Sequence, residues 1–243
     1  MSERPALSVV VPAHNSGPVL EHSVQTLTCA LADLPGAEVI LVENGSRDGT
    51  WRLAQDLAAR AWLVPVQAVQ SAVGLGNAYA EGVRRATGDL VLLTADDLPF
   101  GMTDVAGWEA AGCPAGIVIG SKAHRDSVVP RAVLRRVMTF VFTWLRRIVL
   151  RLDVGDTQGT VFVPAGWARE VLPRLVEGGY LFSTELLYAA HLQGLPITEV
   201  PITLRERDDD GGTRIKVSDV LEMALGLLRL RRRAGQLGHG AAR

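Results

Sequence analysis

Residues 88–100 read GDLVLLTADDLPF. Leu90 to Leu93 is an unbroken apolar run of the length expected for a strand buried on both faces. The run stops at two adjacent carboxylates, Asp96 and Asp97. In an open α/β sheet, ligands bind outside the carboxyl ends of the strands. An acidic pair at such an end can hold a divalent cation through hard oxygen ligands. A solvated turn that caps the next segment is the plainer alternative, and the flanking sequence has to decide between them.

Upstream, Leu7 to Val11 reads as a buried strand ended by Pro12, then a polar loop AHNSGP and a helical pattern from Pro18 to about Leu31. Ala37 to Val42 is a second buried strand, followed by Glu43 and the turn NGSRDGT. Thr50 starts a helix to about Arg60, Trp62 to Ala68 fits a third strand, and GLGNA at 74–78 opens a helix that ends near Thr87. Strand–helix alternation at this spacing means βαβ units and a parallel sheet. Three strands then end in polar clusters, Ala13–Asn15, Glu43–Ser46 and Asp96–Asp97. Parallel strands put these on one edge, where a nucleotide could lie across them. GLGNA lacks the third glycine of a dinucleotide fingerprint and follows the third strand rather than the first. Gly74 and Gly76 therefore permit either close approach of a ligand or tight helix packing.

The chain has 243 residues, enough for one large domain or one domain with an appendage, and its 48% hydrophobic content allows a substantial core. A net charge of −1 argues against a global nucleic-acid binder. Cys29 and Cys113 are isolated, which gives neither a disulfide framework nor a zinc site and suits a reducing cytoplasm. The apolar run near the N-terminus is too short for a signal peptide, and no stretch reaches the ~18 residues of a membrane span. The five histidines show no metal-ligand spacing.

VVVPAHN (9–15), VENGSRDGT (42–50), GLGNAYAEGVRRATGD (74–89) and the acidic strand end resemble the GT-A domain of family 2 glycosyltransferases, in particular the dolichyl- or polyprenyl-phosphate mannose and glucose synthases. The resemblance continues through GSK (120–122), Asp156–Thr157–Gln158, similar to a DTQ signature of glucose-type members, and YLFSTELLYAAHLQGLPITEVPITLRER (180–207). It implies an α/β fold with a Rossmann-like, mostly parallel central sheet flanked by helices. The expected organisation is a GT-A domain over 1–216, a C-terminal amphipathic helix over 217–233 and a disordered tail over 234–243.

The resemblance also implies inverting transfer of a sugar from a nucleotide diphosphate sugar, with Mg2+ or Mn2+ offsetting the charge that builds on the leaving diphosphate. Where the family has D-x-D, this chain has Ala95–Asp96–Asp97, so Asp97 is the expected metal ligand and Asp96 a second ligand or a turn residue. Glu43 matches the nucleotide-contacting acid. Pro12, Ala13 and Asn15 would line the base pocket, with Ser16 where the family usually has Glu. Asp48 reads as a turn or N-cap residue.

A sugar hydroxyl acceptor needs a general base, whereas a lipid phosphate is already ionised and needs cations to hold it. Residues 122–151 carry seven Arg and one Lys against a single acid, Asp126. Val133 to Leu152 interleaves these cations with Phe140, Trp144 and Ile148. This suits an interfacial membrane helix, and an ordinary solvated helix is the alternative. Lys122, Arg131, Arg135, Arg136 and Arg214 are the acceptor candidates, and Arg207 resembles the arginine after EVPI that meets a phosphate. Asp156 and Gln158 could position the sugar or the basic residues; for Asp156 and Glu185 a buried ion pair is the alternative. In the last helix Leu221, Leu225 and Leu228 share a face and Arg229 with Arg231–Arg233 closes it.

The expectation is a cytoplasmic enzyme, peripheral on the inner face of a membrane, that moves a hexosyl group from UDP-glucose or GDP-mannose to a polyprenyl phosphate and binds no nucleic acid. Two alternatives stay open. One is transfer to a glycan or small molecule with Asp156 or Glu185 as base. The other is a nucleotide-sugar-binding protein with little catalysis, suggested by Ala95.

Overall fold

The computed structural model describes residues 5–129, 133–204 and 217–239, with side chains outside that description also at 133–141 and 217–223. The first half runs β1 (Leu7–Ala13), α1 (Gly17–Ala30), β2 (Glu38–Glu43), α2 (Thr50–Ala58), β3 (Val66–Gln70), α3 (Leu75–Arg85) and β4 (Leu90–Leu93). The second half runs α4 (Thr103–Ala110), β5 (Ile117–Ser121), α5 (Val133–Leu150), β6 (Thr160–Pro164), α6 (Ala165–Val171), α7 (Phe182–Leu192), β7 (Ile197–Pro201), α8 (Val217–Arg232) and α9 (Ala234–Gly238).

The strands form one sheet in the order β3-β2-β1-β4-β6-β5-β7. Only β6 is antiparallel to its neighbours, β4 and β5. The period-2 side-chain alternation of β1 sorts it between two cores. Val9 and Val11 pack with Val39, Leu41, Leu92 and the helices α1, α2 and α4. Val10 packs with Ile40, Val42, Val91 and residues of α3, α6 and α7 on the other face. Burial on both sides is why the strands read as continuous apolar runs.

Four elements differ from the sequence expectation. Pro12 lies inside β1 rather than ending it, paired with Val42. It is tolerated because the β4 ladder stops at Val10, so no second neighbour claims the missing N–H. β3 is shifted from 62–68 to 66–70, because the Trp62 indole donates to the Leu57 carbonyl (2.7 Å) and so belongs to the end of α2. The last helix is no appendage: α8 packs on α5, with Leu227 and Leu230 buried and Leu225 and Leu228 exposed. The expected tail begins as α9, packed on α7 with Leu237 fully buried.

At the end of the sheet remote from Asp96, the buried Glu38 carboxylate accepts from Ser8 Oγ, Thr87 N, Thr87 Oγ1 and Gln67 Nε2. Burial pushes this carboxyl up, but the hydrogen bonds led by Ser8 outweigh it and hold the group below its ordinary value.

Candidate active site

The parallel pairing of β2, β1 and β4 brings the three polar strand ends to one edge. They are bonded to one another. Asn44 N donates to the Ala13 carbonyl at 3.1 Å. Asn15, in the left-handed region at φ 54°, donates its N–H to Ser46 Oγ and accepts from Arg47 N through Oδ1. Asn is one of the few residues that tolerates this conformation. Asp48 accepts from Thr50 N at 2.9 Å, which is the turn role expected of it.

Ser16, noted in the sequence only as a departure from the family, stands against the acidic pair. It is buried, and its hydroxyl donates to Asp96 Oδ2, while Ser23 Oγ donates to the Asp96 carbonyl at 2.5 Å. Ser16 thereby couples the first loop to the acidic pair. The signal was the departure itself, a serine where the family usually has glutamate. After Asp97, Leu98 is buried at φ 43°. A bulky residue in that region marks a tightly determined turn. Tyr79, from α3, lies behind the pair and donates to the Thr94 carbonyl at 3.0 Å. Burial raises its hydroxyl pKa, and the charges of Asp96 and Asp97 raise it further.

Glu43 is buried in β2 and accepts from Ser46 N and from Gln70 Nε2 (2.8 Å). Burial raises its pKa; the hydrogen bonds, with Ser46 N first, more than offset this and leave it lowered. Its observed work is to order the turn after β2. Gly74 and Gly76 meet the loop 177–179: the Gly178 carbonyl accepts from Gly76 N (2.9 Å) and Asn77 N (3.2 Å). A Cβ on Gly76 would stand 2.7 Å from Phe182 Cβ. Of the two sequence alternatives, the geometry matches tight packing, and the N-terminus of α3 is filled by protein.

On the other flank of the acidic pair, Lys122 at the end of β5 lies 5.3 Å over the Phe100 ring, a cation–π distance. Its ammonium reaches Asp156 Oδ2 at 3.0 Å and the Gln158 carbonyl at 2.8 Å. Asp156 also accepts from Lys122 N and Gln158 N, and Gln158 Nε2 donates to the Tyr180 carbonyl at 3.1 Å. Lys122, Asp156 and Gln158 thus form one cluster, joined through Phe100 to the Asp96–Asp97 loop. Glu185 lies elsewhere. It is 0% exposed, paired with Arg233 and bonded by Val176 N and Glu177 N, both at 2.9 Å. This is the buried ion pair of the sequence alternatives, and it takes Arg233 away from the expected basic helix end.

Arg131, Arg207 and Arg214 lie outside the described residues, as do the side chains of Arg135 and Arg136 in α5. Among the described residues no helix is long and apolar enough to cross a membrane. No group of three or more His, Cys, Asp or Glu residues could hold a metal there.

A sequence model described as "Glycosyl transferase family 2" matches residues 8–169, which span β1 to α6 and the whole cluster above. The chain belongs to glycosyl transferase family 2. It is a glycosyltransferase with a GT-A fold. A dolichyl-phosphate beta-glucosyltransferase of Trichomonas vaginalis is 26% identical over 239 residues, covering 91% of this chain and 69% of that protein. One from Drosophila melanogaster is 29% identical over 220 residues, 83% of this chain and 68% of that protein. Among solved structures, glucosyl-3-phosphoglycerate synthase of Mycobacterium tuberculosis, crystallised with Mn2+, UDP and glucosyl-3-phosphoglycerate, superposes with a TM-score of 0.63. It is 20% identical, over 95% of this chain and 80% of that one, a likeness in fold.

Proposed function

We propose that this family 2 glycosyltransferase moves a glucosyl group from UDP-glucose to a polyprenyl phosphate, with inversion at the sugar carbon. The observation that carries the acceptor class is the state of the two carboxylates that could have been a base. Asp156 is paired with Lys122, and Glu185 is fully buried against Arg233. A hydroxyl acceptor would need one of them to take a proton. A phosphate acceptor is nucleophilic without a base and is drawn to a cation such as Lys122. The DTQ signature and the names of the relatives, which are dolichyl-phosphate beta-glucosyltransferases, support the same reading.

The donor diphosphate would lie across the Ala13–Asn15, Glu43–Ser46 and Asp96–Asp97 edge. The residues fit a divalent ion: both aspartates are partly exposed at the strand end, Ser16 orients Asp96, and no third protein acid joins them among the described residues. Such a pair suits an ion that takes its remaining oxygens from substrate phosphates. Asp97 and Asp96 would hold it, and when bound it offsets the charge on the departing β-phosphate. The chain's own part is to keep Lys122 beside this edge through Asp156, so that two anions can approach one another. Direct displacement by the acceptor phosphate oxygen then inverts the sugar carbon.

Peripheral membrane contact is part of this reading, and the exposed residues of α5 and α8 support it. Trp144 and Ile148 of α5 and Leu225 and Leu228 of α8 are exposed, and the same helices carry Arg147 and Arg229, which pair with Asp153 and Glu177; apolar and basic residues on one helix are the mixture that favours an anionic interface.

The test is radiolabelled UDP-glucose or GDP-mannose, polyprenyl phosphate in anionic vesicles and Mn2+, with a chelator arm. Labelled lipid from UDP-glucose, lost on chelation, is expected. Labelled lipid from GDP-mannose alone changes the donor, and none from either donor overturns the function.

A further inference from the structure

The Lys122–Asp156–Gln158 cluster depends on a loop, 154–158, that has little room of its own. A Cβ on Gly155 would stand 2.8 Å from Ala123 Cβ and 2.9 Å from Glu199 Oε1. Two charged side chains hold this loop from opposite sides. From β7, Glu199 accepts from Gly155 N at 3.0 Å and from Asp156 N at 3.2 Å. From α5, the Arg146 guanidinium donates to the Val154 carbonyl and, at 3.1 Å, to Thr157 Oγ1, which also receives the Thr184 hydroxyl at 3.0 Å.

Arg146 is unexpected in that place. The helix was read as a basic interfacial segment, yet Arg146 is 1% exposed. Its Nε is buried without a hydrogen-bond partner. Burial pushes its pKa down to about 10, partly opposed by the field of Asp156. A buried guanidinium is costly, and an apolar side chain of similar volume often serves stability as well or better. α5 already packs on the core through Phe142, Leu145 and Val149. Docking the helix therefore gives no reason for an arginine at 146, whereas a rigid fork that spans the Val154 carbonyl and the Thr157 hydroxyl does.

We propose that Arg146 is a positioning residue: from α5 it fixes the 154–158 loop against Glu199, and through Asp156 it sets where the Lys122 ammonium stands at the reacting centre. The part that concerns catalysis rests on the reading of Lys122 and Asp156 given under the proposed function. Arg146 touches neither substrate and acts only through the loop. It also makes the placement of Lys122 sensitive to α5, the helix whose exposed face is proposed to meet the membrane.

The experiment uses the full chain with R146M, R146K and E199Q, followed by amide hydrogen exchange, transfer kinetics and unfolding midpoints. In R146M, exchange over 154–158 rises about tenfold while β1 and β2 stay protected. kcat falls about a hundredfold, as for a misplacement of about 1 Å, with the donor KM within about twofold of wild type. R146K keeps the charge but not the fork, so its exchange and kcat stay within about threefold of R146M. Where R146M does not fold, E199Q carries the test and should show the same loop-confined exchange. Unchanged exchange over 154–158 overturns the proposal, and so does a loss of kcat that simply follows the unfolding midpoint across the variants. The exchange reading needs no substrate. An inactive wild type would therefore overturn the proposed function without deciding this one.

Discussion

The Glu185 carboxylate in α7 is fully buried and is held by the guanidinium of Arg233, 48 residues further along the chain. The same guanidinium donates to the Arg174 carbonyl at 2.5 Å. One cation thus ties the helix of the ELL segment to the C-terminal helices. Arg233→Ala would strand a buried charge, and the expected loss of stability is about 3–5 kcal/mol, read by urea unfolding. Glu185→Gln should keep transfer within about threefold of wild type, because removal of a true general base costs about 10²-fold or more. A collapse of activity in a folded Glu185→Gln protein would restore Glu185 as a base.

Ser16 and Asp96 give a prediction about the metal. Ser16→Ala removes the hydroxyl that orients Asp96 and should weaken Mn2+-dependent donor binding by about tenfold, the usual scale for a partner of a metal ligand. Asp97→Ala should abolish the metal dependence of donor binding. Calorimetric titration of UDP-glucose with Mn2+ and with chelator checks both, and unchanged affinity in Asp97→Ala would remove it from the metal site.

Glu38 gives a pH dependence. Its folded-state pKa lies below the ordinary value of 4.5. Its contribution to stability is therefore full above that ordinary value and is lost as the pH falls through the lower, folded one. Glu38→Gln should be less stable than wild type at neutral pH, and the gap should narrow as the pH falls through the lowered, folded-state value. Urea midpoints of the two proteins from neutral pH into the acid range test this. A gap that stays constant would mean that the charge of Glu38 contributes nothing.

Gly76 allows a packing test. With Phe182 Cβ and the 177–178 backbone against it, Gly76→Ala must displace the loop before α7. Overpacking of this kind costs about 1–3 kcal/mol. The expected result is a lower unfolding midpoint with donor affinity within about twofold, and a selective loss of donor affinity would return Gly76 to the nucleotide site.

Much of the nucleotide half was legible because its strands are short apolar runs with polar stops. Leu90–Leu93 forms β4 residue for residue, and the three strand ends meet where parallel pairing requires. Trp62 misled because its aromatic ring fits a strand pattern, while its indole N–H is committed to the Leu57 carbonyl. β5, β6 and β7 were not singled out by periodicity. They are five-residue runs whose partners are distant in the chain, such as Gly120 and Thr160. The inward turn of Arg146 and the choice of Arg233 as the partner in the Glu185 ion pair were beyond reach for the same reason, since each depends on tertiary neighbours that no local pattern names. Ser16 was visible only as a departure, and its meaning needed the position of Asp96.

The most direct measurement compares polyprenyl phosphate with the matching polyprenol as acceptor, with the same donor, metal and vesicles. The account predicts labelled product from the phosphate and none from the alcohol, because Asp156 and Glu185 are committed to Lys122 and Arg233. Product from the alcohol at a comparable rate would contradict it, and would mean that one of these carboxylates leaves its cation to act as a base.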